Sequence, residues 1–314
     1  MNSLTSKDLR ASARILTARS RPVVARYTAV YLAIGLLAAL TTLVCDLLIE
    51  RTGGLGDLGK RTLIETVGML IPLAGQAFLP LWGAGFTCCA IGYARNQAVE
   101  NRHLLGGLRR WAVLLRLSLC LSFVYFAASY ALLMLVMPVY MVTPWGMNLL
   151  ETMASFMYTA TEITPEMQDA VLSAMGPLYA IWIPLVAALS LFLSYQFRLA
   201  RYRVLDENRP GAIRAMWESL RLIRRHRWQL CKLDLSWWWY YLVTILLSGI
   251  LYVPELLTAL GVTVPLEGNV LYLLCYLVYA VLLGLLYLTT LAKVETSYAL
   301  FYDRLVNGQL TMDN

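Results

Sequence analysis

The chain has 314 residues, 59% of them hydrophobic and only 14% charged, with a mean hydropathy of +0.62. Soluble domains carry about 25% charged residues, so a soluble globular fold of this length is excluded. The net charge of +7 does not point to nucleic acid, because its distribution along the chain is that of a membrane topology.

Residues 1–26 carry Lys7, Arg10, Arg14, Arg19, Arg21 and Arg26. Thr5 can cap a helix here, with Asp8 three residues on in the capping-box position. Leu9, Ala13 and Leu16 share one face and Lys7, Arg10 and Arg14 the other. The segment reads as a basic amphipathic helix lying on the inner leaflet, apolar face down, with a solvated basic tail as the other reading. A cleaved signal peptide is not expected, since mostly polar residues precede an apolar run longer than a signal's core. The arginine-rich, acid-poor start can also mimic an organellar presequence, which the spans that follow argue against.

A helix needs about 20 mostly apolar residues to cross the hydrocarbon layer. Six stretches qualify: residues 27–49, 67–93, 111–137, 174–197, 237–260 and 270–292, leaving 293–314 as a tail. Strands would leave backbone groups unsatisfied in lipid, and the alternation of an outer-membrane barrel is absent. The expected fold is all-α: a polytopic six-helix transmembrane bundle with interfacial amphipathic helices. Alternate sides of this topology carry 23 and 3 Lys or Arg residues. The positive-inside rule then assigns both termini, and the connections around Arg102 and Arg221, to the cytoplasm of a cell membrane. The connection from Pro138 to Ala174 holds Glu151, Glu162, Glu166 and Asp169 with no Lys or Arg, and is expected outside.

Two tracts resemble each other. The second span ends Ala94-Arg95, followed by Glu100-Asn101-Arg102 and then Arg110-Trp111. The fourth ends Ala200-Arg201, followed by Glu207-Asn208-Arg209 and then Arg227-Trp228. Each of these spans holds two prolines, Pro72 and Pro80 or Pro177 and Pro184. A duplicated helical hairpin explains the pattern; chance likeness between basic connections is the alternative. Corresponding broken helices are the sequence pointer to a transporter's substrate site. Pro72, Gln76, Pro80, Pro177, Tyr179, Trp182 and Pro184 are therefore the candidate cavity residues. Against this, proline and glycine are common in transmembrane helices.

In the connection 198–232, Pro210 and Gly211 open a helix. Ile213, Met216, Trp217, Leu220 and Ile223 recur at helical spacing, opposite Arg214, Glu218, Arg221 and Arg225. This stripe is expected against the lipid interface or the ends of the spans. Arg214, Arg221 and Arg225 are the candidate contacts to anionic lipid. Trp237, Trp238, Trp239, Tyr240 and Tyr241 then match the aromatic belt that anchors helices at headgroup depth; a cofactor-stacking cage is the sharper alternative.

Cys45, Cys88, Cys89, Cys120, Cys231 and Cys275 lie in or beside spans without CxxC spacing, so neither a disulfide framework nor a metal site is expected. Of the ionisable groups near the spans, Arg116, Asp46, Glu255 and Asp234 all lie toward span ends, which supports a proton relay only weakly. No catalytic motif is present, and no cofactor, catalytic residue or nucleic-acid partner is expected.

The tract 202–239 and the tail 291–302 resemble the bacterial membrane family called domain of unknown function 975. The motifs that carry this are Arg10 and Arg14 in the basic start, Asp206 through Ser219, Leu233-Asp234-Leu235-Ser236, and Ala299 to Tyr302. The chain departs from that family in its long outer segment, about residues 140–174, and at Met137-Pro138-Val139. The resemblance implies the same topology and a bacterial inner membrane, and it supplies no activity. The expected role is a non-catalytic envelope scaffold or lipid-associated factor, with membrane lipids as partners and another membrane protein as a further candidate partner. The alternative is a permease-like protein with a cavity between proline-broken helices.

Overall fold

The computed structural model describes residues 6–18, 20–51, 58–159, 165–206, 210–259 and 268–307. Six helical stretches are long and apolar enough to cross a membrane: Arg21–Ile49, Thr62–Ala94, Trp111–Met141, Met175–Leu205, Trp238–Leu257 and Val270–Val306. They coincide with the six expected spans, and among the described residues all regular structure is helical. The chain is a multi-pass, all-α membrane protein.

In chain order the helices are α1 (Ser6–Leu16), α2 (Arg21–Arg51), α3 (Leu58–Ala94), a 3-10 turn (Asn101–Leu105), α4 (Gly106–Arg109), α5 (Trp111–Met141), α6 (Pro144–Thr159) and α7 (Pro165–Phe197). There follow α8 (Ala200–Leu205), α9 (Ala212–Ile223), α10 (Arg227–Ser236), α11 (Trp238–Gly249), α12 (Val253–Ala259), α13 (Gly268–Leu286) and α14 (Ala292–Val306). The proline-containing helices run unbroken through Pro72 and Pro80 in α3 and through Pro177 and Pro184 in α7. Neighbouring groups in a membrane bundle can satisfy the carbonyl that each proline frees.

The packing is uneven. The spans pair as α2 with α3, α13 with α2, and α5 with α7. Large side chains such as Leu119, Phe123 and Phe126 on α5 face outward, as lipid-facing side chains must. The dense core lies where the arginine-rich connections gather, here termed the basic pole. Leu199, Ile223, Leu230, Leu233, Trp237, Tyr298, Phe301 and Tyr302 are all fully buried there. Each fully buried side chain of this size contributes about 1.5–3 kcal/mol, so the pole contributes strongly to the tertiary stability.

Three local features build that pole. The first is a glycine contact that sets the depth of the 95–110 connection. A Cβ on Gly85 would lie 1.8 Å from the Leu104 carbonyl oxygen, and one on Gly107 would lie 2.0 Å from that of Leu81. Only glycine allows backbones this close. Gly107, just before α5 starts, is thereby level with Leu81 and Gly85. The last turns of α3 therefore project past the beginning of α5. The second feature ends α3: Asn96 takes a left-handed φ of 53°, and the Gln97 N–H donates to Gly92 O at 2.9 Å. This is the Schellman closure, where asparagine tolerates the conformation better than most residues.

The third feature is at the sixth span. A π turn, Tyr287–Leu291, joins α13 to α14. The Thr289 hydroxyl donates to Leu285 O at 2.9 Å and to Leu286 O at 3.1 Å, occupying carbonyls in the widened turn. The inserted residue re-phases the helix, so that Tyr298, Phe301 and Tyr302 point into the core. Residues 293–306 of the expected tail are thus a helix that is mostly buried, while 308–314 lie outside the described residues.

α1 also belongs to this core. Leu9 and Ala13 are buried at 3% and 0% exposure, and α1 packs on α14 and α10. Its apolar face is therefore covered by protein, where the sequence suggested the inner leaflet. Two more helices supply a matching apolar surface, which outcompetes lipid for the same stripe. The expected cap, Thr5, lies outside the described residues.

Candidate functional site at the basic pole

Two polar clusters fasten the helix ends. In the first, the Arg95 guanidinium lies 2.8 Å from Asp206 and 2.9 Å from Asp303. Asp206 also accepts from the Tyr302 hydroxyl at 2.6 Å and lies 3.6 Å from Arg203. Arg203 pairs with Glu218, which lies 2.9 Å from Arg214. Three cations and three carboxylates thus run through the ends of α3, α8, α14 and α9. Burial disfavours the Arg95 charge, but hydrogen bonds to Asp303 and Asp206 outweigh it and raise its pKa. The hydrogen bond from Arg203, joined by one from Arg214, holds the Glu218 carboxyl below its ordinary value against the opposing effect of burial.

In the second cluster, Arg198 donates to the Tyr241 hydroxyl at 2.9 Å and lies 3.4 Å from Asp234. Its guanidinium sits 4.2 Å from the centroid of the Tyr298 ring, a cation–π arrangement. The Tyr298 hydroxyl donates to Asp234. Nearby, the Tyr202 hydroxyl donates to Glu295 at 2.9 Å. These groups satisfy one another, so the clusters are structural fasteners.

One open surface at the pole is the outer face of α9. The helix seats Ala212, Ala215, Ser219 and Ile223 inward. Ala212 and Ala215 pack against Leu114 and Leu117 of α5 and Val204 of α8, and the Ser219 hydroxyl donates to Gln196 O at 3.0 Å. The sequence suggested that Ile213, Met216, Trp217, Leu220 and Ile223 face the lipid interface or the ends of the spans. Of these only Ile223 is fully buried, while Ile213 and Trp217 are each 65% exposed. The small residues win the inward position because they let α9 approach its neighbours more closely than a tryptophan would. Arg214, Arg221 and Arg225 are exposed beside this apolar surface, as is Trp228 just beyond it. Leu114 and Leu117 lie in the first two turns of the α5 span, so α9 sits at the level where the spans begin.

The five aromatics at the start of the fifth span divide. Trp238 and Trp239 face outward and suit an interfacial anchor. Trp237 is 1% exposed, with the Arg10 guanidinium 4.7 Å from its ring centroid. Tyr240 is buried and Tyr241 is held by Arg198. The helical period turns positions 237, 240 and 241 into the core, so a five-residue anchor is corrected to a two-residue one.

The candidate cavity residues do not form one lining. Tyr179 and Trp182 line a groove of 580 Å3 between α5 and α7 with Met134, Met137 and Met175. Its walls are almost wholly apolar, which suits an acyl chain better than a polar solute. Pro177 is half-buried and Pro184 exposed on the same helix. Pro72 and Pro80 are on α3, whose main span partner is α2. The Gln76 side chain lies outside the described residues, as do Glu207, Asn208 and Arg209 of the expected repeat. The matched dipeptides take different positions: Arg95 follows the end of α3, whereas Arg201 lies within α8.

Among the described residues no three His, Cys, Asp or Glu side chains gather so as to hold a metal ion. The sequence reading missed the Arg95–Asp206–Asp303 cluster. Its one signal was Asp303 directly after the apolar run Ala299 to Tyr302; Asp206 lies among Arg201, Arg203, Glu207 and Arg209, where a carboxylate does not stand out. The chain matches no family model, no curated protein and no solved structure.

Proposed function

We propose that the chain is a non-catalytic, lipid-associated membrane factor or scaffold of a bacterial inner membrane, with its basic pole in the cytoplasm. One observation carries the reading. At the level where the spans begin, α9 turns Ile213 and Trp217 outward beside Arg214, Arg221 and Arg225. Apolar and aromatic groups suit the acyl boundary, and each basic residue near an anionic surface adds about 1 kcal/mol of attraction. The partner is the anionic inner leaflet. The excess of arginine at this pole supports the cytoplasmic orientation, and the resemblance to domain of unknown function 975 agrees with it.

The test uses the full chain in nanodiscs of mixed neutral and anionic lipid, with the lipids retained on extraction weighed by native mass spectrometry. Retention of anionic lipid should fall several-fold in the R214Q/R221Q/R225Q variant. Equal retention in both proteins removes the reading.

A further inference from the structure

A cleft of about 360 Å3 opens at the basic pole between the end of α3, the 3-10 turn and α8. Its walls include Arg95, Gln97, Arg102, His103, Arg109 and Asp206. The one carboxylate among these, Asp206, already accepts from Arg95 at 2.8 Å and from the Tyr302 hydroxyl at 2.6 Å. Arg95 is in turn shared with Asp303. That part of the wall is occupied by its own ion pairs.

The other donors are not. The Arg109 side chain makes no hydrogen bond or ion pair among the described residues and is exposed. Arg102 lies 3.1 Å from Glu100, but both side chains are mostly exposed, at 68% and 61%. Such a pair is worth little in water and exchanges readily for a better anion. His103 Nδ1 lies 3.0 Å from the Glu100 N–H and 3.1 Å from the Glu100 carbonyl oxygen; in the tautomer whose Nδ1 accepts from the N–H, Nε2 is a further donor. Gln97, set by the left-handed turn at Asn96, adds an amide. The cleft thus offers two guanidinium groups, an imidazole N–H and an amide, with its one acidic side chain already engaged.

We propose that this cleft binds a phosphate-class anion, with Arg102 and Arg109 as charged clamps and Gln97 and His103 as hydrogen-bond donors. Paired guanidinium groups match the geometry and the charge of a phosphomonoester. Arg109 immediately precedes the residues that open the α5 span, so the same chemistry is reachable by a lipid headgroup from the bilayer or by free phosphate from water. The site is separate from the α9 face and stands or falls apart from it.

The experiment has two arms, both with the full chain in phosphatidylcholine nanodiscs. Inorganic phosphate is titrated in one and followed by 31P line broadening; phosphatidate is added to the discs in the other and its retention read by native mass spectrometry. R102Q/R109Q should weaken binding roughly tenfold or more, while R102K/R109K keeps much of it and shows that the fold survives. R214Q/R221Q/R225Q should leave phosphate binding in the first arm unchanged, and the second arm compares R102Q/R109Q with its parent in that triple-variant background, where the α9 contacts to anionic lipid are absent. Loss in the phosphate arm identifies a soluble anion, and loss confined to the phosphatidate arm identifies a headgroup. If neither probe binds, or R102Q/R109Q binds both as wild type does, the proposal is overturned.

Discussion

Arg95 reaches 2.8 Å from Asp206 across 111 residues of sequence, joining the end of the second span to the end of the fourth. The Asp206 side chain is only 4% exposed and also holds the Tyr302 hydroxyl of α14. One carboxylate therefore fastens three helix ends. Replacing it leaves the Arg95 and Tyr302 donors without their shared acceptor; Arg95 keeps Asp303, so the cost is that of unmade hydrogen bonds at a buried site, about 1–3 kcal/mol, rather than that of an orphaned buried charge. D206A should lower the thermal midpoint in detergent sharply, whereas R214A, on the exposed end of the same chain of charges, should change it little. Equal effects would show that the burial of Asp206 carries no special weight.

The glycine contact predicts a second loss. A methyl at Gly107 has backbone oxygen 2.0 Å away, and the α3 backbone cannot yield. G107A should cost about 1–3 kcal/mol by overpacking. Gly211, where a Cβ would meet nothing within 4 Å, is the control, and G211A should be near neutral. Thermal unfolding of the two variants decides the point.

Acid should loosen the pole through Glu218. Its carboxyl is held below its ordinary 4.5 by Arg203 and Arg214, so the folded state binds its proton more weakly than the unfolded state. The stability it contributes is present above pH 4.5 and fades as pH falls through the lower, folded value. The difference in thermal midpoint between wild type and E218Q should therefore be largest near neutrality and shrink below pH 4.5. A difference that grows in acid would reverse the assigned sign.

The groove beside Tyr179 bears on the permease alternative. With walls of leucine, methionine, proline and aromatic residues, it should hold lipid and exclude water. A cysteine at Tyr179 should stay inert to membrane-impermeant aqueous thiol reagents, while one at Arg221 reacts in inverted vesicles. Rapid labelling at Tyr179 would favour a water-filled path.

How much of this was legible in the sequence follows from the range of the forces involved. The spans were readable because lipid demands long apolar helices, and hydropathy measures that demand directly. α1 and α9 were readable as helices from their periodicity. Which face each would bury was not, because α1 meets α14 and α10 across hundreds of residues, and α9 chooses its alanine stripe only once α5 and α8 are beside it. Trp237 and Trp238 look alike in the chain, yet one is the largest fully buried side chain and the other an outward anchor. The Arg95–Asp206–Asp303 cluster was hidden for the same reason: ion pairs between distant segments leave no spacing to read.

The proposed lipid association requires α9 to lie in the membrane interface with Trp217 outward. A nitroxide on a cysteine at position 217, in the full chain in anionic nanodiscs, reports its depth through the opposed effects of dissolved oxygen and a water-soluble nickel chelate on its relaxation. The label should sit at the headgroup boundary and move toward water in neutral discs or with R214Q/R221Q/R225Q. A label as water-exposed as one on a free loop, in every lipid mixture, would contradict it.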